Sequence, residues 1–232
     1  INPRDFDFRF PVAAKVITDP VGMVSTLAAV AQAVTVLQGA ALPDSLARLA
    51  TRAPSATETA MAAHLVNQAP ATVLLGNLAI AHPALAQLRA LAGFVAAQTG
   101  ARLGYLPEAA NSVGGWLAGA VPHRLAGGSS APKAGLDVRA MLDAPRKAYV
   151  LLGVEPELDC WDGAAALRAM QSAELVISLS PYAGKGYAKI SLPTAAFAET
   201  SGSYVNAEGC WQSFQGATKP FGEARPAWKV LR

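Results

Sequence analysis

Glu199, Asn206 and Glu208 are the most specific polar side chains in the sequence, and they stand together with Gly209 in the stretch E-T-S-G-S-Y-V-N-A-E-G. Two carboxylates and an amide around a glycine turn can hold the polar groups of a ligand. They can also hydrogen-bond the backbone of the turn itself, which short polar side chains do readily. The structural role is expected, with cofactor binding by Glu199, Asn206, Glu208 and Gly209 as the alternative. A second cluster, Glu155, Glu157 and Asp159, has the residue types of a metal site or an acid/base pair. Without a histidine, and with Pro156 among them, it reads as a solvated loop at a strand end. Cys160 and Cys210 lie too far apart for the short spacings of an iron-sulfur or zinc site, and His64, His82 and His123 are isolated from both. No serine sits in a G-x-S-x-G elbow, and no G-x-G-x-x-G or G-x-x-x-x-G-K-[ST] follows a strand. Gly127 to Ser130 reads as a flexible link. The pattern therefore names no catalytic residue and no metal ligand.

The elements that would position these residues are legible from their punctuation. Asp19-Pro20 opens a helix that runs to Gly39, a second short helix starts at Asp44, and Ser55 with Glu58 makes a capping box for a third over Ala56 to Asn67. Strands are expected over Ala71 to Leu75, Arg102 to Leu106, Lys147 to Val154, Leu175 to Leu179 and Lys189 to Leu192. Helices are expected after His82-Pro83 up to Gly100, over Asn111 to Ala120, Leu136 to Leu142 and Asp162 to Ala173. Strand and helix alternating with short links argue an α/β class: a Rossmann-like, mostly parallel sheet with helices on both faces. The expected division is an extended and helical lead-in over 1–69, a sheet unit over 70–193, and a turn-rich corner over 194–232 packing on it. In the lead-in, Phe6, Phe8 and Phe10 alternate with charges like a half-buried strand that clips onto an edge. In the corner, Tyr204-Val205 allows only an edge strand, and Tyr204, Trp211, Phe214, Phe221 and Trp228 supply apolar surface to pack. Trp116 and Trp161, with Trp211 and Trp228, are candidates for a protein-protein surface, although core packing is the expectation for any one of them.

Composition bounds the classes. With 232 residues, 52% hydrophobic and 15% charged, the chain can build a sizeable core and much of its surface is a candidate for cover by something else. The net charge of +3 is mild and its Lys and Arg form no stripe, which argues against nucleic-acid binding. Val21 to Leu37 is short for a membrane span and carries polar residues, so it reads as a buried helix. The start at Ile1, with no signal-peptide pattern, suggests a piece of a longer protein.

The motif E-T-S-G-S-Y-V-N-A-E-G-x-x-Q-S-F, followed by K-P-x-G-E-A-R-P-A-W, resembles the molybdopterin oxidoreductase superfamily. Within it, the chain is most similar to the large iron-sulfur subunit of the proton-pumping NADH:quinone oxidoreductase, respiratory complex I. The likeness extends to NPRDFDFRFP (2–11), LLGN (74–77), QTGARLGYLPEAANSVG (98–114) and LLGVEPELDC (151–160). Cys210 stands where that family usually has Arg. The resemblance implies Rossmann-like lobes and a parent enzyme that passes electrons from NADH to quinone while translocating protons. It implies iron-sulfur clusters in the N-terminal part of the parent chain, and none in this region, which would serve as a scaffold. Its partners would be that cluster-bearing part and other peripheral-arm subunits, on the cytoplasmic side of the bacterial inner membrane without insertion into it. The alternative is a fragment of a molybdenum or tungsten oxidoreductase of the formate dehydrogenase or nitrate reductase type, in which Glu199, Asn206, Glu208 and Gly209 would help hold the molybdopterin dinucleotide.

Overall fold

A computed structural model describes all 232 residues, as two compact units, Ile1–Ala109 and Ala110–Arg232. The first unit is built on α1 (Gly22–Gln38), α2 (Asp44–Ala47), α3 (Ala56–Asn67), β1 (Thr72–Leu75), α4 (Asn77–Ile80), α5 (Leu85–Thr99) and β2 (Arg102–Tyr105). The starts follow the side chains that satisfy them. Asp19 Oδ1 accepts from Gly22 N–H at 2.6 Å ahead of α1, and the Ser55–Glu58 capping box is present in both directions at α3. His82 ties the start of α5 to α1: Nδ1 accepts from Ala84 N–H at 2.9 Å, which leaves Nε2–H to donate to the Pro20 carbonyl at 2.8 Å. Ala28, Ala31 and Val34 of α1 pack with Ala62 of α3 and Leu91 and Val95 of α5. Small residues on α1 let these helices approach closely. β1 and β2 pair in parallel, Thr72 opposite Arg102 through Leu75 opposite Tyr105.

The lead-in differs from the expected edge strand. Asn2 alone bridges to Ile17, donating to Val16 and accepting from Thr18, both at 3.1 Å, so the segment folds back on itself. Phe6, Phe8 and Phe10 are exposed and touch one another, Phe6 edge-on to Phe8 and Phe8 tilted against Phe10, with centroids 6.2 Å and 5.2 Å apart. Lys15 flanks the three rings, bonded to Asp5 at 2.9 Å and lying over the Phe8 ring. Period-2 alternation marks extended backbone but does not say that a sheet receives it.

The second unit contains α6 (Ser112–Leu117), α7 (Val138–Asp143), β3 (Ala148–Leu152), α8 (Pro156–Asp159), α9 (Gly163–Ser172), β4 (Leu175–Ser180), β5 (Ile190–Pro193), β6 (Gly202–Val205), β7 (Trp211–Phe214) and α10 (Ala227–Val230). β3, β4 and β5 form a parallel sheet in that order, so the α/β class stands, with its strands divided between this sheet and the β1–β2 pair. Tyr149, Leu151 and Val176 on one face pack against Ala169 and Met170 of α9 and Met141 of α7. On the other face Leu179 at the centre is buried, while Val150 and Leu152 of β3 and Ile190 and Leu192 of β5, on either side of it, are exposed. The corner holds more regular structure than expected: β6 and β7 make an antiparallel hairpin, Gly202 opposite Phe214 through Val205 opposite Trp211.

Candidate functional site

The corner begins where β5 ends at Pro193. Thr194, buried, donates its N–H to the Ser180 carbonyl at 3.1 Å and bridges to Arg225, so both ends of the stretch are pinned to the carboxyl end of the sheet. Glu199 closes a single 3-10 turn over Phe197–Glu199, its Oε2 accepting from Ala196 N–H at 3.1 Å. Asn206 shapes the hairpin turn. Its Oδ1 accepts from Glu208 N–H at 3.0 Å and Cys210 N–H at 2.9 Å, and its backbone N–H donates to the Cys210 carbonyl at 3.1 Å. Gly209 closes the turn at φ +83°, in the left-handed region that a side chain resists. Glu208 is exposed beside it. The structure thus brings Asn206, Glu208 and Gly209 into one turn, with Glu199 in a turn of its own, and the side chains of Glu199 and Asn206 are spent on backbone N–H groups. Cys210 takes part through its backbone, and its thiol is exposed. Asn206→Ala is expected to leave two exposed N–H groups to water and to lower unfolding free energy by about 1 kcal/mol in urea titration. A change within experimental error would show that water replaces the amide at no cost.

Sequence reasoning missed the residue that fixes this hairpin in place. Asn111, just before α6, accepts from Val205 N–H through Oδ1 at 2.9 Å, and Val205 is almost fully buried. An Asn before a helix is ordinarily read as a cap, so nothing local signals a partner so far along the chain. The aromatic residues expected to pack the corner mostly point outward instead: Trp211 is 71% exposed, Phe221 87%, and Trp228 and Tyr204 about half, while Phe214, edge-on to Tyr204 at 4.8 Å, is the most covered of the five. Phe197 is 88% exposed, Trp161 95%, and Trp116 is also exposed.

Glu155, Glu157 and Asp159 occupy the turn after β3 as α8, a single helical turn, and not an open loop. Asp159 Oδ2 caps it, accepting from Glu155 N–H at 2.8 Å. Two residues not singled out from the sequence face the others. Lys185 reaches Glu155 at 2.5 Å and Glu157 at 3.4 Å, and Tyr187 O–H donates to Glu157 Oε2 at 2.7 Å. Burial pushes the Glu157 carboxyl up, but hydrogen bonds from its own backbone, Tyr187 and Lys185 outweigh this and hold it below its ordinary value. Burial first, then the Glu157 carboxylate, pushes the Tyr187 hydroxyl up, so it stays a neutral donor. Burial and the Asp159 charge raise the Cys160 thiol. These groups satisfy one another and latch the 181–189 connection to the turn after β3.

Two hollows remain. One, of about 200 Å³, lies at the carboxyl ends of β4 and β5, lined by Ser178, Ser180, Ser191 and Gly184. In open α/β sheets this is where ligands sit. A pterin dinucleotide does not fit it: the volume is below the roughly 300 Å³ at which sites for drug-sized ligands begin, and Glu199 and Asn206 are already engaged. The other, of about 550 Å³, lies in the first unit along β1 and is lined mainly by apolar side chains of α1, α3 and α5.

A parallel α/β sheet with a motif-bearing corner at its carboxyl end is the class these observations define. The family model of molybdopterin oxidoreductases matches residues 33–232, and the chain belongs to that family. Within it the chain is similar to large subunits of NADH-quinone and NADH-ubiquinone oxidoreductases. It is 34% identical over 149 residues to an NADH-quinone oxidoreductase subunit of Streptomyces coelicolor, covering 53% of this chain and 18% of that one. It is 47% identical over 49 residues to the mitochondrial NADH-ubiquinone oxidoreductase 78 kDa subunit of Candida albicans, 21% of this chain and 7% of the relative. To the NADPH-Fe(3+) oxidoreductase subunit alpha of Geobacter sulfurreducens it is 31% identical over 87 residues, 37% and 10% respectively. The chain thus spans less than a fifth of the length of each. No helix is long and apolar enough to cross a membrane.

Proposed function

We propose that this chain is a docking and scaffold region of the large iron-sulfur subunit of an NADH:quinone oxidoreductase, and that it carries no redox group of its own. The observation that carries this reading is the division of roles within the corner. Its motif side chains bind the corner's own backbone, while Phe197, Trp211 and Phe221 of the same stretch turn outward. Aromatic side chains held outward on a rigid turn are the anchors of protein-protein contacts. The likeness to quinone-linked NADH oxidoreductase subunits supports the kind of enzyme it serves. Its partners on this reading are the cluster-bearing part of the parent subunit and neighbouring peripheral-arm subunits, at the cytoplasmic face of the membrane.

The test is made in the complete enzyme. Asn206→Ala and Gly209→Val are expected to reduce the amount of assembled complex, because they loosen the turn that presents the aromatics. NADH:quinone turnover per assembled complex should stay within about twofold of wild type. A normal amount of complex with turnover down about a hundredfold would overturn the reading and favour a corner that holds a cofactor.

A further inference from the structure

The stretch after Cys210, with K-P-F-G-E-A-R-P-A-W (219–228) at its centre, carries the whole net charge of the chain. Of the 19 Lys and Arg and the 16 Asp and Glu residues, only Lys219, Arg225, Lys229, Arg232 and Glu223 lie in it, so the residues before it are balanced and the net +3 belongs here. All four cations are exposed. None of them enters an ion pair, whereas Lys15, Arg52, Arg139, Lys147 and Lys185 each have a carboxylate. The backbone lays this stretch beside the segment that leaves β5: Ala195 N–H donates to the Arg225 carbonyl at 2.8 Å, and Ala217 N–H to the Ala198 carbonyl at 2.7 Å. Between these two ties Phe197 stands on one strip and Phe221 on the other, both exposed. Phe221 is presented by a turn of its own, its carbonyl accepting from Ala224 N–H at 3.1 Å with Gly222 at φ +58°. Lys219 and Arg225 flank that turn along the chain, and Lys229 lies over the Trp228 ring at 5.2 Å. Rings edged by unpaired cations are thus held on a backbone fixed at both ends.

We propose that this surface docks an acidic amphipathic segment of a neighbouring subunit in the assembled oxidoreductase, with its apolar side chains on Phe197 and Phe221 and its carboxylates on Lys219, Arg225 and Lys229. The inference rests on the docking role proposed above and adds the chemistry of the partner. Exposed rings anchor such contacts, and the charge around them decides which partner is steered in. A second copy of this chain is a poor occupant, because it has no acidic excess to offer. Its one carboxylate cluster is already engaged: Glu155 and Glu157 by Lys185, Glu157 also by Tyr187, and Asp159 by a backbone N–H. Nor do four cations make the basic stripe of a nucleic-acid site.

The probe is a blocked peptide of about 14 residues with leucine and glutamate at helical spacing, titrated into the 232-residue chain and followed by fluorescence polarisation. Saturable binding is expected, weakened about fivefold or more between about 50 mM and about 0.5 M salt. A twin peptide with lysine for every glutamate should bind about tenfold more weakly. Because the two peptides meet the same unaltered protein, misfolding cannot produce that difference. Lys219→Glu with Lys229→Glu, two exposed side chains, should reverse the preference. Equal binding of the twins would overturn the proposal, as would no binding of the glutamate peptide up to about 1 mM. Preference for phosphatidylglycerol vesicles over the glutamate peptide would overturn it as well and mark a lipid-facing surface. The assembly test with Asn206→Ala and Gly209→Val changes no charge, so the two readings fail separately. A failed titration beside reduced assembly removes the acidic partner and leaves the scaffold, whereas normal assembly with lost turnover removes the scaffold itself.

Discussion

Replacing Glu58 with alanine is expected to lower the stability of the chain by about 3 kcal/mol, among the largest effects of any polar substitution in it. Glu58 is 1% exposed and yet ionised. It remains so because it is paired on every side: Nη1 and Nη2 of Arg52 bond its two oxygens, and Ser55 N–H donates to Oε2 at 2.8 Å. The same guanidinium reaches Thr26 Oγ1 at 3.4 Å, so the pair links the start of α3 to α1 through a buried threonine. The bonds from Arg52 act first and burial opposes them, and the carboxyl is lowered from its ordinary 4.5 to about 2. A folded value below the unfolded one contributes stability above the unfolded value, and that contribution is lost as pH falls from 4.5 through about 2. Urea titration of wild type and Glu58→Gln should therefore differ most at about pH 6 and converge near about pH 2. Arg52 is itself partly exposed, so water can take it back, and the loss falls at the low end of what breaking a buried pair costs. A difference that persists unchanged at about pH 2 would assign the stability to packing of the side chain and not to its charge.

The half of this site that could be read beforehand is the local half. Ser55 and Glu58 are three residues apart, and the capping box follows from their types alone. The same holds for Asn206 and Gly209, whose side-chain and backbone roles are complete within five residues of turn. Arg52 could not be assigned to Glu58, nor Lys185 and Tyr187 to Glu155 and Glu157, because those contacts are made by the fold, the tyrosine meeting its carboxylate across 30 positions. The hairpin escaped notice because Trp-Gln-Ser-Phe lacks the alternation of a half-buried strand, and β7 is in fact largely exposed. The aromatics misled for a related reason. Hydrophobicity says that Trp211 and Phe221 gain by leaving water, but it does not say whether this chain or another supplies the cover. Val150, Leu152, Ile190 and Leu192 follow the same logic: they read as parts of a buried sheet, and alternation does not say what covers them.

Gly119→Ala is the second large effect expected, about 2 to 5 kcal/mol, and it bears on the corner from a distance. Gly119 ends the turn after α6, its N–H donating to the Trp116 carbonyl at 3.2 Å, and its φ is +77°. The chain reverses there and returns over it. A Cβ at this position would stand 2.6 Å from the Leu125 carbonyl carbon and 2.8 Å from Ala126 N, both backbone atoms that no rotamer change can move. Gly209→Ala is the control: its φ is +83°, and a Cβ there would meet nothing within 4 Å, so it carries the conformational cost alone. The returning segment is also where Arg124 lies over the Trp116 ring at 4.4 Å and donates to Ser130 Oγ at 3.1 Å. Forcing Leu125 and Ala126 away therefore unseats that stack and strains α6. Asn111 at the head of α6 holds Val205, so the strain should pass to the hairpin. Gly119→Ala is expected to lower the urea midpoint clearly more than Gly209→Ala and to speed amide exchange at Val205. Equal losses in the two variants would show that the loop at Leu125 yields freely and that the corner does not depend on it.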